Sequence, residues 1–224
     1  MYYTGIDLHR DTCTLCTLDE SGTKVKAKTL PTEADGIEAY FAALRGKHHA
    51  VVECTTGWYW LSDLCQALDV ELVLAHAKYL KAIAYAKVKT DAVDAVTMAQ
   101  VLRLGFIPEA HQISQQRRGL RDLLRHRLRL VETRTRLQTQ AQAILLKFNH
   151  GPVAGKSLRD VSALEAELHT TFTPAYRLQL ETFATQLQQL DTSLRTIRSQ
   201  LRTDLIQQPA VQHLLTIPGI VLLT

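Results

Sequence analysis

The sequence predicts an α/β domain, a mixed sheet with flanking helices, followed by a long helical coiled-coil extension. Three observations predict it. Apolar patterning in the first half follows the order strand, strand, strand, helix, strand, helix, strand, helix. The second half changes to a seven-residue period. Charge changes with it: residues 1–113 carry 11 Lys or Arg against 14 Asp or Glu, a net of −3, whereas residues 114–148 carry 9 against 2, a net of +7, and residues 149–224 balance at 6 each.

The three opening strands fall near Tyr2 to Leu8, Thr12 to Leu18 and Lys24 to Leu30. Their short connections, the second at Gly22, favour an antiparallel meander. Pro31 and Thr32 end the strand pattern, and Thr32 is placed to cap a helix whose apolar face includes Ile37, Tyr40, Phe41 and Leu44. His48-His49 reads as a polar turn. Ala50-Val51-Val52-Glu53 is a short apolar run ending in a carboxylate, as expected of a central strand that reaches a functional edge. A helix follows through Trp60, Leu61, Leu64, Cys65 and Leu68, then a strand from Val70 to Leu74. A short helix from Lys78 to Ala84 and a longer one from Asp91 to Leu104, closed by Gly105 and Pro108, complete the domain.

Beyond it, Leu123, Leu130, Leu137 and Ile144 recur every seven residues, and Leu120, Leu124, Val131, Ala141, Leu145 and Phe148 widen the stripe. Arg127 and Arg134 interrupt this seam, which is therefore not uniformly dry. Gly151, Pro152 and Gly155 break the helix, and a connector with Leu158, Val161, Leu164 and Leu168 follows. Tyr176, Leu180, Phe183, Leu187, Leu190, Leu194, Ile197 and Leu201 then alternate spacings of four and three, a coiled-coil seam. Such a pair of helices folds back as an antiparallel hairpin or joins two chains; periodicity leaves both open.

Composition narrows the class. Apolar residues at 46% and charged residues at 21% suit a folded chain. No run of eighteen apolar residues is present and the opening residues lack the regions of a secretory signal, so the expected location is the cytoplasm, without a membrane partner. Cys13 and Cys16 have the spacing of a metal knuckle, but strand geometry sends them to opposite faces and no second pair completes a zinc site. Gly151-Pro152-Val153-Ala154-Gly155-Lys156-Ser157 contains Gly-Lys-Ser without the first glycine of a phosphate loop at its required offset, and it follows a helix rather than a strand.

The carboxylates carry the chemistry. Asp7 in an apolar strand is costly to bury without a partner, hydrogen bond or metal. Glu53 ends a second strand. Asp91 and Asp94, three apart in Lys89-Thr90-Asp91-Ala92-Val93-Asp94-Ala95, share one helix face and repel each other unless a cation lies between them; the plainer reading is that Thr90 or Asp91 caps the helix and Asp94 favours its positive end. Together the four residues suit Mg²⁺, an ion of oxygen ligands, with Asp7 the best candidate for a bridging ligand. His9 and Asp11 rank lower, either on the same strand face as Asp7 or in the turn. Lys89 is a candidate phosphate contact beside the acids. Among Trp58, Tyr59 and Trp60, base stacking and core packing weigh equally. Arg117, Arg118, Arg121, Arg125 and Arg129, with Arg127, Arg134 and Arg136, offer backbone contacts to nucleic acid, although they distribute around a helix and some must face elsewhere.

Gly5-Ile6-Asp7-Leu8-His9, Val52-Glu53-Cys54-Thr55-Thr56-Gly57, the Lys89 to Ala95 segment and Leu214-Leu215-Thr216-Ile217-Pro218-Gly219-Ile220 together resemble the DEDD transposases of bacterial insertion sequences, which act as bridge-RNA-guided recombinases. The resemblance spans essentially the whole chain. It implies a ribonuclease-H-like domain over residues 1–112 with Asp7, Glu53, Asp91 and Asp94 as its four acidic positions. It implies a coiled-coil region over residues 113–210 that binds guide (bridge) RNA and DNA and supports a homo-oligomer, and the entrance to a C-terminal transposase domain over residues 211–224. In complete members that last domain supplies a serine nucleophile. The chain stops at Thr224, before a recognisable serine-bearing domain, and is expected to be a portion of a longer recombinase acting on element and target DNA. A stand-alone metal-dependent, structure-selective nuclease and a noncatalytic nucleic-acid-binding scaffold are the alternatives.

Overall fold

Alternation along the first strand sets up both faces of the sheet. The computed structural model describes residues 1–83, 90–150 and 172–222 and divides the chain into two units, Met1–Ser114 and Gln115–Thr224. In the first unit β1 (Tyr2–Leu8), β2 (Thr12–Leu18), β3 (Lys24–Pro31), β4 (His48–Glu53) and β5 (Val70–Ala75) form, among the described residues, one sheet of order β3-β2-β1-β4-β5. The hairpins β1–β2 and β2–β3 are antiparallel, as the meander pattern predicts, and β4 and β5 join in parallel. Parallel neighbours need crossovers, which α1 (Ala34–Ala42) and α2 (Trp58–Ala67) supply. This is a mixed sheet with flanking helices in the ribonuclease-H-like arrangement.

One face of the sheet carries Ile6, Cys13, Leu15, Ala50 and Val52 into a core with Ile37, Tyr40 and Phe41 of α1 and Trp58, Leu61 and Cys65 of α2. A buried polar chain crosses it without orphans: Thr4 Oγ1 lies 2.8 Å from Thr17 Oγ1, which lies 2.9 Å from the Tyr40 hydroxyl, and that hydroxyl donates to the Lys26 carbonyl. The opposite face carries Cys16 and Leu18 against Ala95 and Ala99, and Val51 and Ala75 against Leu80, Met98 and Leu102. These residues belong to α3 (Ala77–Ile83) and α4 (Asp91–Arg103). Cys13 and Cys16 thus sit on opposite faces, and burial pushes the Cys13 thiol up to about 12.

Two local expectations are corrected. Thr32 does not cap α1; Glu33 holds that position without a side-chain bond, while the Thr32 hydroxyl donates to the His9 carbonyl at 3.0 Å and its N–H to the Asp11 carbonyl. The hydroxyl is used to tie the β1–β2 turn to the end of β3. His48 and His49 open β4 rather than forming a turn; His48 is buried between Tyr2 and Phe41, its Nε2 2.9 Å from the Leu44 carbonyl oxygen. An imidazole can fill a strand position when its polar edge finds a backbone partner.

The second unit contains α5 (Gln115–Lys147), α6 (Pro174–Ile206) and the short α7 (Pro209–Leu215). Ala141, Ile144 and Leu145 of α5 pack with Leu180, Ala184 and Leu187 of α6, and Arg134 bonds Asp191 at 3.1 Å further along. Positions descend on one helix as they ascend on the other, so the pair runs antiparallel within one chain. The four-and-three series is buried at Leu180, Leu187, Leu194 and Leu201, each contributing on the order of 1.5–3 kcal/mol by leaving water. Asp191 answers the charge that Arg134 brings to the seam. The connector from Leu158 to Leu168, the Gly151 to Ser157 stretch and Ala84 lie outside the described residues. No described helix is long and apolar enough to cross a membrane.

Candidate functional site

Strand parity places the acids. Ile6 points into the α1–α2 core, so Gly5 and Asp7 belong to the face that α4 covers. The parallel register ends at Ile6 opposite Val52, and one step further along the two strands stand Asp7 and Glu53. Val51 packs on the α4 side, so Glu53 shares that face. Helix α4 lies directly on β1: a Cβ at Gly5 would overlap the Ala95 carbonyl oxygen and stand 2.7 Å from the Ala99 nitrogen. A strand glycine and two buried helix alanines thus let backbone touch backbone. The contact sets the first turn of α4, with Asp91 and Asp94, near the end of β1. Thr90 caps that turn, its hydroxyl accepting the Val93 N–H at 3.3 Å.

The third group in the cluster is His9. Its Nε2 lies 3.2 Å from Asp7 Oδ2 and 3.5 Å from Asp91 Oδ1, and one ligand atom each from Asp7, His9 and Asp91 fall within 4.8 Å of one another. The Asp7 side chain is only 16% exposed, whereas those of His9 and Asp91 are 53% and 55% exposed. The cluster is therefore rooted in the sheet and open to solvent. Burial pushes the Asp7 carboxyl above its ordinary range; the His9 imidazole opposes this, and the negative charges of Asp91 and Asp94 add to it. Like charges gathered at this spacing on a rigid strand end and a capped helix start fit a divalent ion, whose ligand bonds of about 2.0–2.6 Å span the 4.8 Å cluster.

Comparison with known families decides the class: a family model described as a transposase, the DEDD type of IS110-like insertion sequences, matches residues 4–150. The chain belongs to this transposase family. The match runs from β1 to the end of α5 and so includes Asp7, Glu53, Asp91 and Asp94. Among curated proteins no match is found.

Within this DEDD transposase chain the four acids are not brought together equally. Asp7 and Asp91 share the tight cluster; Asp94 is close enough for its charge to act on Asp7; Glu53 lies on the neighbouring strand, and neither Asp94 nor Glu53 is in the 4.8 Å set found among the described residues. Lys89 lies outside the described residues. Arg117, Arg125 and Arg129 are exposed, Arg121 is half-buried beside Asp122, and Arg118 is buried. Two arginines interact with α6: Arg134 reaches Asp191, and the charge of Arg198 acts on Arg127. Burial, followed by the neighbouring guanidinium groups of Arg198 and Arg134, moves Arg127 downward from its ordinary value. Trp58 is a core residue, edge-on to Tyr59 at 4.5 Å. His9, which sequence reasoning ranked below the four acids, is the residue that the structure adds to the cluster. β1 ends at Leu8 and the His9 N–H bonds the Thr12 carbonyl, so His9 stands in the turn, one of the two placements that the sequence left open.

Proposed function

We propose that this chain supplies the acidic half of a composite strand-cleavage and exchange site in an RNA-guided DNA transposase, with Asp7, Glu53, Asp91 and Asp94 as its metal-holding carboxylates. The observation that carries the reading is the meeting of Asp7 and Asp91 at the open end of β1 in a chain of the DEDD transposase family. Asp7, on the central strand, gives a fixed anchor. Glu53 approaches from the adjacent strand, and Asp91 with Asp94 from the first turn of α4. Bound there, Mg²⁺ would supply charge neutralisation at a scissile phosphate and acidity for the attacking oxygen. The serine-bearing transposase domain implied by the sequence resemblance would complete the site.

Arg117, Arg121, Arg125 and Arg129 recur every four residues on α5. That spacing advances about 40° per step, so the four cover about a third of the helix circumference. Phosphate contacts from this arc would hold element and target DNA or guide RNA without reading bases, and Lys89 would add one beside the acids. A homo-oligomer would bring two such sites to the exchanging strands.

The test is strand cleavage of labelled element-end DNA by the complete recombinase with matched guide RNA. Asp7→Asn is expected to abolish Mg²⁺-dependent cleavage while guide binding persists. Unchanged cleavage would refute the role of Asp7. Magnesium-dependent cutting of branched DNA by residues 1–224 alone would replace the composite site with a self-sufficient nuclease.

A further inference from the structure

The four acidic positions make an all-oxygen site, yet among the described residues the tight cluster at Asp7 and Asp91 also takes in the imidazole of His9. We propose that His9 is a direct third ligand of the metal held by Asp7 and Asp91, and that this nitrogen donor makes the site select Mn²⁺ over Mg²⁺. The inference rests on the metal-holding role proposed above for Asp7 and Asp91.

Geometry is the first support. Adjacent ligands of an octahedral ion with bonds of about 2.1 Å stand about 3 Å apart. His9 Nε2 stands 3.2 Å from one carboxylate oxygen and 3.5 Å from the other, close to the spacing of neighbouring coordination positions, and all three groups offer a ligand atom within 4.8 Å of the others.

The second support is how the residue is held. The His9 N–H donates to the Thr12 carbonyl at 2.9 Å, the Thr32 hydroxyl donates to the His9 carbonyl at 3.0 Å, and the Thr32 N–H donates to the Asp11 carbonyl at 3.2 Å. A half-exposed histidine on an ordinary hairpin turn needs only the first of these bonds. Here the turn is also tied to the end of β3, which fixes the backbone from which the imidazole reaches the carboxylates. A fixed backbone limits where the imidazole can reach.

The selectivity follows from donor chemistry. Mg²⁺ favours oxygen ligands and holds its water firmly, whereas first-row transition ions accept imidazole nitrogen. Mn²⁺ accepts carboxylate oxygen as readily as Mg²⁺ does, so an Asp/His/Asp set favours it without excluding Mg²⁺. The remaining positions would fall to Glu53, Asp94, water and phosphate oxygens.

Pulsed electron paramagnetic resonance of Mn²⁺ bound to the full chain tests this, with calorimetric titration of Mn²⁺ and Mg²⁺. The expected result is a directly coupled nitrogen in the wild-type spectrum that disappears in His9→Ala. His9→Ala should weaken Mn²⁺ binding on the order of tenfold and leave Mg²⁺ binding within about twofold. His9→Asp, which restores an oxygen donor, should shift the preference toward Mg²⁺. His9 lies in an exposed turn, and circular dichroism will show that these variants fold. Mn²⁺ that binds in an Asp7-dependent way without nitrogen coupling, or an unchanged Mn²⁺/Mg²⁺ ratio in His9→Ala, overturns the role of His9 and leaves the acidic site standing. Mn²⁺ binding that is unaffected by Asp7→Asn overturns both.

Discussion

Replacing Gly5 with alanine adds one methyl group at the point where β1 and α4 touch. A Cβ there would overlap the Ala95 carbonyl oxygen, with the Ala99 nitrogen at 2.7 Å and the Ala95 carbonyl carbon at 3.0 Å. Ordinary contact begins near 3.4 Å, so the helix must retreat by at least about 0.7 Å along the Ala99 direction and further at Ala95. All three atoms are backbone, and no rotamer change can relieve them. Overpacking of this kind costs about 1–3 kcal/mol where side chains can adjust, so about 3 kcal/mol or more is expected here, a fall of roughly 10 °C in the melting of a domain this size. The retreat also carries Asp91 and Asp94 away from Asp7, so metal affinity should fall with stability. Urea unfolding followed by calorimetric Mn²⁺ titration of the folded fraction reads both effects. A Gly5→Ala protein within about 0.5 kcal/mol of wild type, with unchanged metal affinity, would refute the packing argument.

The remaining predictions concern charge. The folded-state carboxyl of Asp7 lies above its ordinary value of 3.8, so its stabilising contribution is fully present below the unfolded value and is lost as pH rises through the raised folded one. Asp7→Asn should therefore stabilise the metal-free protein at neutral pH, and the melting curves should converge as pH falls below the ordinary carboxylate value of 3.8. Saturating Mn²⁺ should reverse the order, since only the wild type gains from ligand binding; a variant less stable at neutral pH without metal contradicts this. In the helix pair, Asp191→Ala leaves Arg134 near Arg127 without its carboxylate, and should cost about 1–3 kcal/mol in urea unfolding. Adding Arg134→Leu should recover most of that loss; failure to recover it would show that the pair does more than balance charge.

Elements with a strong period were legible in the sequence. The Tyr2 to Leu30 meander, the strand ending at Glu53 and the leucines at 180, 187, 194 and 201 follow from alternation or heptad spacing alone. Parity also showed that Cys13 and Cys16 part to opposite faces. The errors fall on polar residues with two possible backbone partners. Thr32 can cap a helix or tie a turn, and the choice depends on where the β1–β2 turn arrives in space. His48 looked like turn material because the carbonyl of Leu44 that satisfies it comes from the helix exit before it. The place of His9 beside Asp7 was not legible, because a turn one residue earlier or later changes which way the imidazole points. The antiparallel pairing of α5 and α6 was likewise invisible to periodicity, which is identical for a hairpin and for two chains; Arg134 with Asp191 shows the direction. The closeness of Asp91 to Asp7 depends on the Gly5 contact, which spacing along the chain does not encode.

Anomalous diffraction from crystals soaked in Mn²⁺ would test the metal centre most directly. The account predicts a peak within about 2.0–2.4 Å of carboxylate oxygens of both Asp7 and Asp91, at the end of β1. Density confined to other sites, with Asp7 and Asp91 bound to protein groups alone at saturating Mn²⁺, would contradict it.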